Sequence, residues 1–231
     1  MMISWLKSFF SASASASPVV LARGAEATEA EVEFVATALM KLQEVGIELN
    51  PEFGSSMMDF ASQIVAGYQR AGDVIEPRTN RITMRAPYPI LMALWNGQSR
   101  FKNATLIGDH CYDGATSGDY VEVFNQILGL AREEWRVESI DASVFEVEGK
   151  AEISLRAIPA IEPFVVTAAK DFDCSAFARL NERASKSVEN RFAYIGDGGT
   201  ILVVWLPPEN ITRLSKLCGI EFQTAGSHSF Q

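Results

Sequence analysis

The stretch from Ile161 to Phe222 limits what this chain can fold into more than any other part of it. An apolar run, Pro163-Phe164-Val165-Val166-Thr167, leads into Asp171-Phe172-Asp173 and then into a helical pattern carrying Phe177 and Leu180. Two runs rich in β-branched and aromatic residues follow, Arg191 to Ile195 and Thr200 to Leu206, and such residues favour strands. Gly196-Asp197-Gly198-Gly199 joins them, and Gly and Asp at such positions supply the positive φ of a hairpin turn. Pro207-Pro208-Glu209 then opens a helix whose Ile211, Leu214, Leu217 and Cys218 make an ordinary core face. A strand, a helix, a hairpin and a second helix in this order define an α+β unit.

Upstream, Thr28 to Gly46 reads as a helix. Thr28 and Glu31 have the spacing of a capping box, Val32, Val35, Ala36, Leu39, Leu42 and Val45 form an apolar stripe, and Gly46 is the stop. Ser55 to Gln69 repeats the pattern with Met58, Ala61, Ile64, Val65 and Tyr68, so an antiparallel helical hairpin is expected. Arg78 to Arg85 is a short strand or exposed loop, and Ile90 to Trp95 a short buried helix. Ala104 to Ile107 suits a strand. Tyr120 to Arg132 suits an amphipathic helix on Val123, Phe124, Ile127 and Leu130, capped by Ser117 or Asp119. From Trp135 the period becomes two, with Trp135, Val137, Ser139 and Asp141 alternating against Arg136, Glu138, Ile140 and Ala142. Val144 to Glu148, Ala151 to Ile158 and Phe164 to Ala168 complete an expected meander of about four antiparallel strands, a usual sheet size. The C-terminal hairpin either extends that sheet or forms its own.

The expected architecture is α+β, an antiparallel sheet with helices packed mainly on one face and a helical N-terminal part. Four segments follow: a flexible extension over 1–27, a helical subdomain over 28–100, an α+β domain over 101–222 and a frayed tail over 223–231. The extension begins with a short aromatic head, Trp5 to Phe10, before a Ser/Ala repeat breaks the apolar run. That pattern lacks the basic start and continuous apolar stretch of a secretory signal. No run of about 20 apolar residues is present, so no integral membrane segment is expected.

At 231 residues, with 48% hydrophobic and 21% charged residues, the chain can bury a substantial core. Its net charge of −9 counts against nucleic-acid binding, which needs clustered Lys and Arg to neutralise phosphate. It favours encounter with a basic partner. Three widely spaced cysteines, Cys111, Cys174 and Cys218, make neither a disulfide framework nor a zinc knuckle and point to a reducing, cytoplasmic setting.

Any histidine-dependent catalysis falls on His110, since His228 sits in the tail. In Asp109-His110-Cys111-Tyr112-Asp113 a base lies beside a thiol and between two carboxylates, which makes Asp109, His110 and Cys111 the catalytic candidates of a small enzyme. Neighbouring side chains on an extended chain point apart, so a surface loop is the competing account. No metal-ligand spacing and no cofactor motif occurs. Asp173 is better explained as a helix N-cap than as half of a carboxylate pair with Asp171. The Gly196–Gly199 tract lies between two strands rather than before a helix, which fits a hairpin and not a phosphate cradle.

Several fold motifs recur together: Asp171-Phe172-Asp173, Phe177-Ala178-Arg179-Leu180-Asn181, Arg191-Phe192 before a strand, and Leu206-Pro207-Pro208-Glu209 before the last helix. With the helix and strand over Asp119 to Ile140, this set resembles small bacterial immunity-type proteins that accompany secreted polymorphic toxins. The resemblance spans Asp119 to Phe222 and implies a protein-binding module that neutralises a basic toxin domain by covering its active site. It carries over no site residues. The exposed-looking carboxylates Glu133, Glu134, Glu146 and Glu148 are the candidate contacts. Beside the small enzyme stands a third possibility, an adaptor docking through its Trp5–Phe10 head.

Overall fold

The computed structural model describes residues 28–53, 56–71, 75–76, 81–82, 100–108, 116–145, 150–158, 163–167, 173–184, 188–196 and 200–224. Its architecture is α+β, with five helices and two small antiparallel sheets, besides a ribbon of two-residue strands, among the described residues. Two compact units divide the chain: 1–102 with 213–220, and 103–212 with 221–231. The expected helix at Ile90–Trp95 lies outside the described residues.

In the first unit, α1 (Glu29–Glu44) starts at a reciprocal cap. The Thr28 N–H donates to Glu31 Oε2 at 2.8 Å, and the Glu31 N–H donates to Thr28 Oγ1 at 3.3 Å, satisfying two donors that a helix start leaves over. Gly46, at φ 88°, takes the left-handed conformation that ends the helix, where a side chain would be strained. A single turn at Pro51–Phe53 precedes α2 (Met57–Ala71), which packs on α1. Phe60, Ala61, Ile64 and Val65 are the buried positions of α2, whereas Met58 is 44% exposed. The expected stripe therefore shifts: Phe60 lies inward and Met58 outward, because Phe60, Ala61, Ile64 and Val65 share one helical face and Met58 falls off it. A ribbon of β1 (Ile75–Glu76) and β2 (Arg81–Ile82) follows. Residues 213–220 return to this unit, where Arg213 Nη2 donates to the Glu44 carbonyl at the end of α1, at 2.8 Å.

The second unit holds both larger sheets. In one, β3 (Ala104–Gly108), β8 (Thr200–Leu206) and β7 (Arg191–Gly196) lie in the order β3-β8-β7. In the other, β4 (Arg136–Phe145), β5 (Lys150–Ile158) and β6 (Phe164–Thr167) form a meander. Val144 thus continues the strand begun at Arg136, so the expected four-strand meander has three strands, and the C-terminal hairpin makes its own sheet with β3.

The phase of β4 also differs from strict alternation. Its register with β5 slips between Val137 and Ser139, a β-bulge that turns both Glu138 and Ser139 outward. Past it, Ile140, Ala142 and Val144 pack on the core, not the Ser139–Asp141 phase expected from Trp135 and Val137.

The core joins these inward residues to Ala151, Ile153 and Leu155 of β5, Phe164 and Val166 of β6, and the buried faces of α3 (Ser117–Gly129) and α4 (Ser175–Ala184). Phe177 stacks on Tyr194 with centroids 4.8 Å apart, and Phe192 lies 4.3 Å from Trp205, contacts that add to area burial. The cap of α3 is Thr116, one residue before the expected Ser117; Asp119, three residues after Thr116, is not the cap but accepts from the Thr116 N–H at 2.6 Å. Asp173 accepts from the Ser175 N–H at 3.0 Å at the start of α4, while Asp171 lies outside the described residues. Helix α5 (Pro208–Cys218) opens with Pro at its first position, where the missing N–H costs nothing.

Asn181 is the polar centre of this core, 8% exposed. Its Nδ2 donates to the carbonyls of Phe192 (2.8 Å) and Thr224 (2.6 Å), and its Oδ1 accepts from the Phe192 N–H (2.8 Å). Gln223 exchanges backbone hydrogen bonds with Tyr194 at 2.9 Å in both directions, closing the outer edge of β7. The tail expected to fray from residue 223 is therefore held through Thr224, because these bonds satisfy its backbone.

Asn181→Ala leaves two buried backbone groups of Phe192 and the part-buried Thr224 carbonyl with one partner fewer each. We expect it to lower unfolding free energy by about 2–4 kcal/mol, read from the urea midpoint at unchanged slope. A second outcome concerns Cys218, whose thiol burial pushes up to about 12 from 9.0. The folded state keeps a proton that the unfolded thiol loses. This contribution is complete below pH 9 and is lost as pH rises towards 12. At about pH 8 a thiol reagent should label Cys218 only after denaturant unfolds the chain.

Candidate functional site

The bulge in β4 and the end of α3 together shape a concave surface on the second unit. Helix α3 buries Tyr120, Val123, Phe124, Ile127 and Leu128, which leaves Gly118, Glu122, Asn125, Gln126 and Gly129 along a shallow groove on its other side. Arg132 ends the groove. Where it meets the bulge, a hollow of about 90 Å³ opens, with walls from Leu128, Trp135, Val137 and Ile140 and a polar rim from Asn125, Arg132, Glu138 and Ser139. That volume lies well below the roughly 300–1,000 Å³ of small-molecule sites.

The bulge determines the rim. Without the extra residue, Glu138 and Ser139 would point to opposite faces of the strand. Glu138 instead stands outward, where Arg156 Nε approaches its Oε2 to 3.5 Å and Arg136 Nη2 its Oε1 to 3.9 Å. These pairs are exposed and contribute little stability, but they offset Glu138, the one carboxylate among the described residues that line the hollow. Beyond the bulge, β4 is the outer strand of its sheet, and no described strand pairs with its free edge over residues 139–145. Phe145, at its far end, is 43% exposed.

The carboxylates expected as contacts fall in different settings. Glu133 is exposed. Glu134 is exposed but already engaged: its Oε1 accepts from Asn190 Nδ2 at 2.6 Å and from the indole N–H of Trp205 at 3.4 Å. It supplies the partner that a buried indole needs, and so ties the end of α3 to β8. Glu146 and Glu148 lie outside the described residues, as do Asp109, His110, Cys111, Tyr112 and Asp113 and the Trp5–Phe10 head. Among the described residues no group of three His, Cys, Asp or Glu could hold a metal ion, and no helix is long and apolar enough to cross a membrane.

Sequence reasoning passed over Arg132, Asn125 and Ser139, which line the hollow. One signal for them was present. Val137 and Ile140 are both apolar yet three apart, which breaks a period of two and marks a bulge.

Gly129 is not required by the fold. A Cβ there would meet nothing closer than Arg132 Nη2, at 3.7 Å, an ordinary contact. Gly129→Ala should therefore raise stability by about 0.4–1 kcal/mol through the unfolded chain's lost freedom, read as a higher urea midpoint. No family model matches the chain, and no match is found among curated proteins or solved structures.

Proposed function

We propose that this chain is a protein-binding module of the immunity type, which docks a toxin domain on its α3–β4 face and covers the toxin's active site. The observation that carries this reading is the β4 edge that no described strand pairs, lying beside a shallow, open groove along α3. An outer strand with unpaired N–H and C=O groups is a template for another chain unless something blunts it. Here the bulge and the Glu138 pairs guard one end, and no described strand pairs with the outer edge of 139–145. A standard docking surface needs about 800 Å² from each partner, and here a groove along about three turns of α3 lies beside a strand edge.

The net charge of −9 adds long-range attraction for a basic toxin domain, a contribution to encounter rate that salt weakens. In this reading the module acts in the cytoplasm and binds no nucleic acid. The fold motifs shared with immunity-type proteins over Asp119–Phe222 supply the reason for naming a toxin as the partner.

The test is a growth assay with the protein encoded beside this chain's gene, expressed alone and with the module. We expect toxicity alone, protection by the wild-type chain, and loss of protection with Asn125→Trp, which fills the groove from an exposed position. A harmless neighbour, or equal protection by Asn125→Trp, would contradict the proposal.

A further inference from the structure

We infer that the hollow between α3 and the β4 bulge recognises a carboxylate, an aspartate or glutamate side chain on an extended segment of the docked protein. The inference rests on the docking reading above and identifies the group that the site takes. Its basis is a local charge opposite to that of the whole chain. The protein carries −9, yet Arg132 lies at the hollow and Arg136 and Arg156 stand against Glu138 on its rim. Two guanidinium groups thus pair with one carboxylate, and a third lines the same hollow.

The three arginines are not equivalent. Arg136 and Arg156 are engaged with Glu138, whereas Arg132 has no hydrogen-bond or ion-pair partner among the described residues. Its Nη2 lies 3.7 Å from where a Cβ of Gly129 would stand, so the guanidinium lies over the backbone at the junction of groove and hollow. A guanidinium offers a planar fork of N–H donors that matches a carboxylate bidentately. The Asn125 carboxamide and the Ser139 hydroxyl add donors on the same rim.

The walls select the rest of the ligand. Leu128, Trp135, Val137 and Ile140 suit a short methylene stem, so a side chain with an apolar body and an anionic tip fits the hollow. The adjoining edge of β4 suits the main chain that carries it, since an added strand pairs through its backbone and sends alternate side chains towards one face. Long-range attraction to a basic partner and local recognition of one acidic side chain are compatible, because the first acts on net charge and the second on a desolvated contact.

The experiment is an amide and arginine side-chain NMR titration of the full chain with two blocked peptides, Ac-Val-Thr-Glu-Thr-Val-NH2 and its Gln counterpart. We expect the Glu peptide to shift Arg132 Nε–H and the amides of Trp135 to Ile140, and to bind about tenfold more tightly than the Gln peptide, the worth of one charge-assisted pair. Arg132→Gln should abolish the preference while leaving the circular dichroism unchanged, and Glu221→Gln, exposed and not among the residues that line the hollow, should retain it. Equal affinity for the two peptides, shifts clustered elsewhere, or no shifts at all would overturn the inference. In the growth assay, full protection by Arg132→Gln together with failure of Asn125→Trp would overturn carboxylate recognition and leave docking standing. Protection by Asn125→Trp would remove docking, and the peptide preference would then be judged on the titration alone.

Discussion

One residue too many in β4 sets the geometry of the second unit. The register slip between Val137 and Ser139 lets Val137 face the core at one end and Ile140, Ala142 and Val144 face it over the rest. A strand in perfect alternation from Val137 would place Ser139 and Asp141 inward, each a polar group without a partner. The bulge removes that conflict, and in doing so it projects Glu138 and Ser139 beside the end of α3. The core and the candidate site therefore have a common origin.

Polar ties of unusual reach hold the surrounding pieces. Asn181 stands in for backbone, bonding both the N–H and C=O of Phe192 and the carbonyl of Thr224, so that α4, β7 and the C-terminal segment meet at one side chain. Glu134 takes the indole N–H of Trp205 and the amide of Asn190, so the turn after α3 is fixed to β8 and to the loop before β7. Arg191 secures that loop from the other side, its Nη1 donating to the carbonyls of Val188, Glu189 and Asn190 at 2.6–2.9 Å. The Asn181 bonds, the Trp205 indole bond and the Arg191 bonds to Val188 and Asn190 satisfy buried or half-buried groups that would otherwise cost more than the bond gains. They keep the α3–β4 junction in place without enlarging the apolar core.

What the sequence made legible was local. Thr28 with Glu31, Asp173 before α4 and Pro208 opening α5 act within one turn of their own backbone, so residue type and spacing suffice. The α+β class follows from such signals taken together. Long-range contacts left no comparable trace. Asn181 looks like any helix-interior polar residue until Phe192 and Thr224 are seen beside it, eleven and forty-three positions away. Met58 has the spacing of a core residue, and its solvent-facing position depends on how α2 meets α1. Glu134 reads as an exposed carboxylate, which it is, but its bond to Trp205 spans seventy-one residues. Arg132 reads as a helix end and no more, because its place at the hollow depends on a bulge in another element.

The account turns on whether the outer edge of β4 is open in the free chain and covered in the complex. Residue-resolved amide exchange measures this directly. Over residues 139–145 the free chain should show alternating slow and fast amides, those paired to β5 and those facing outward, and the bound toxin domain should slow the fast set. Uniform protection in the free chain, or fast amides that stay fast when the partner binds, would contradict the account.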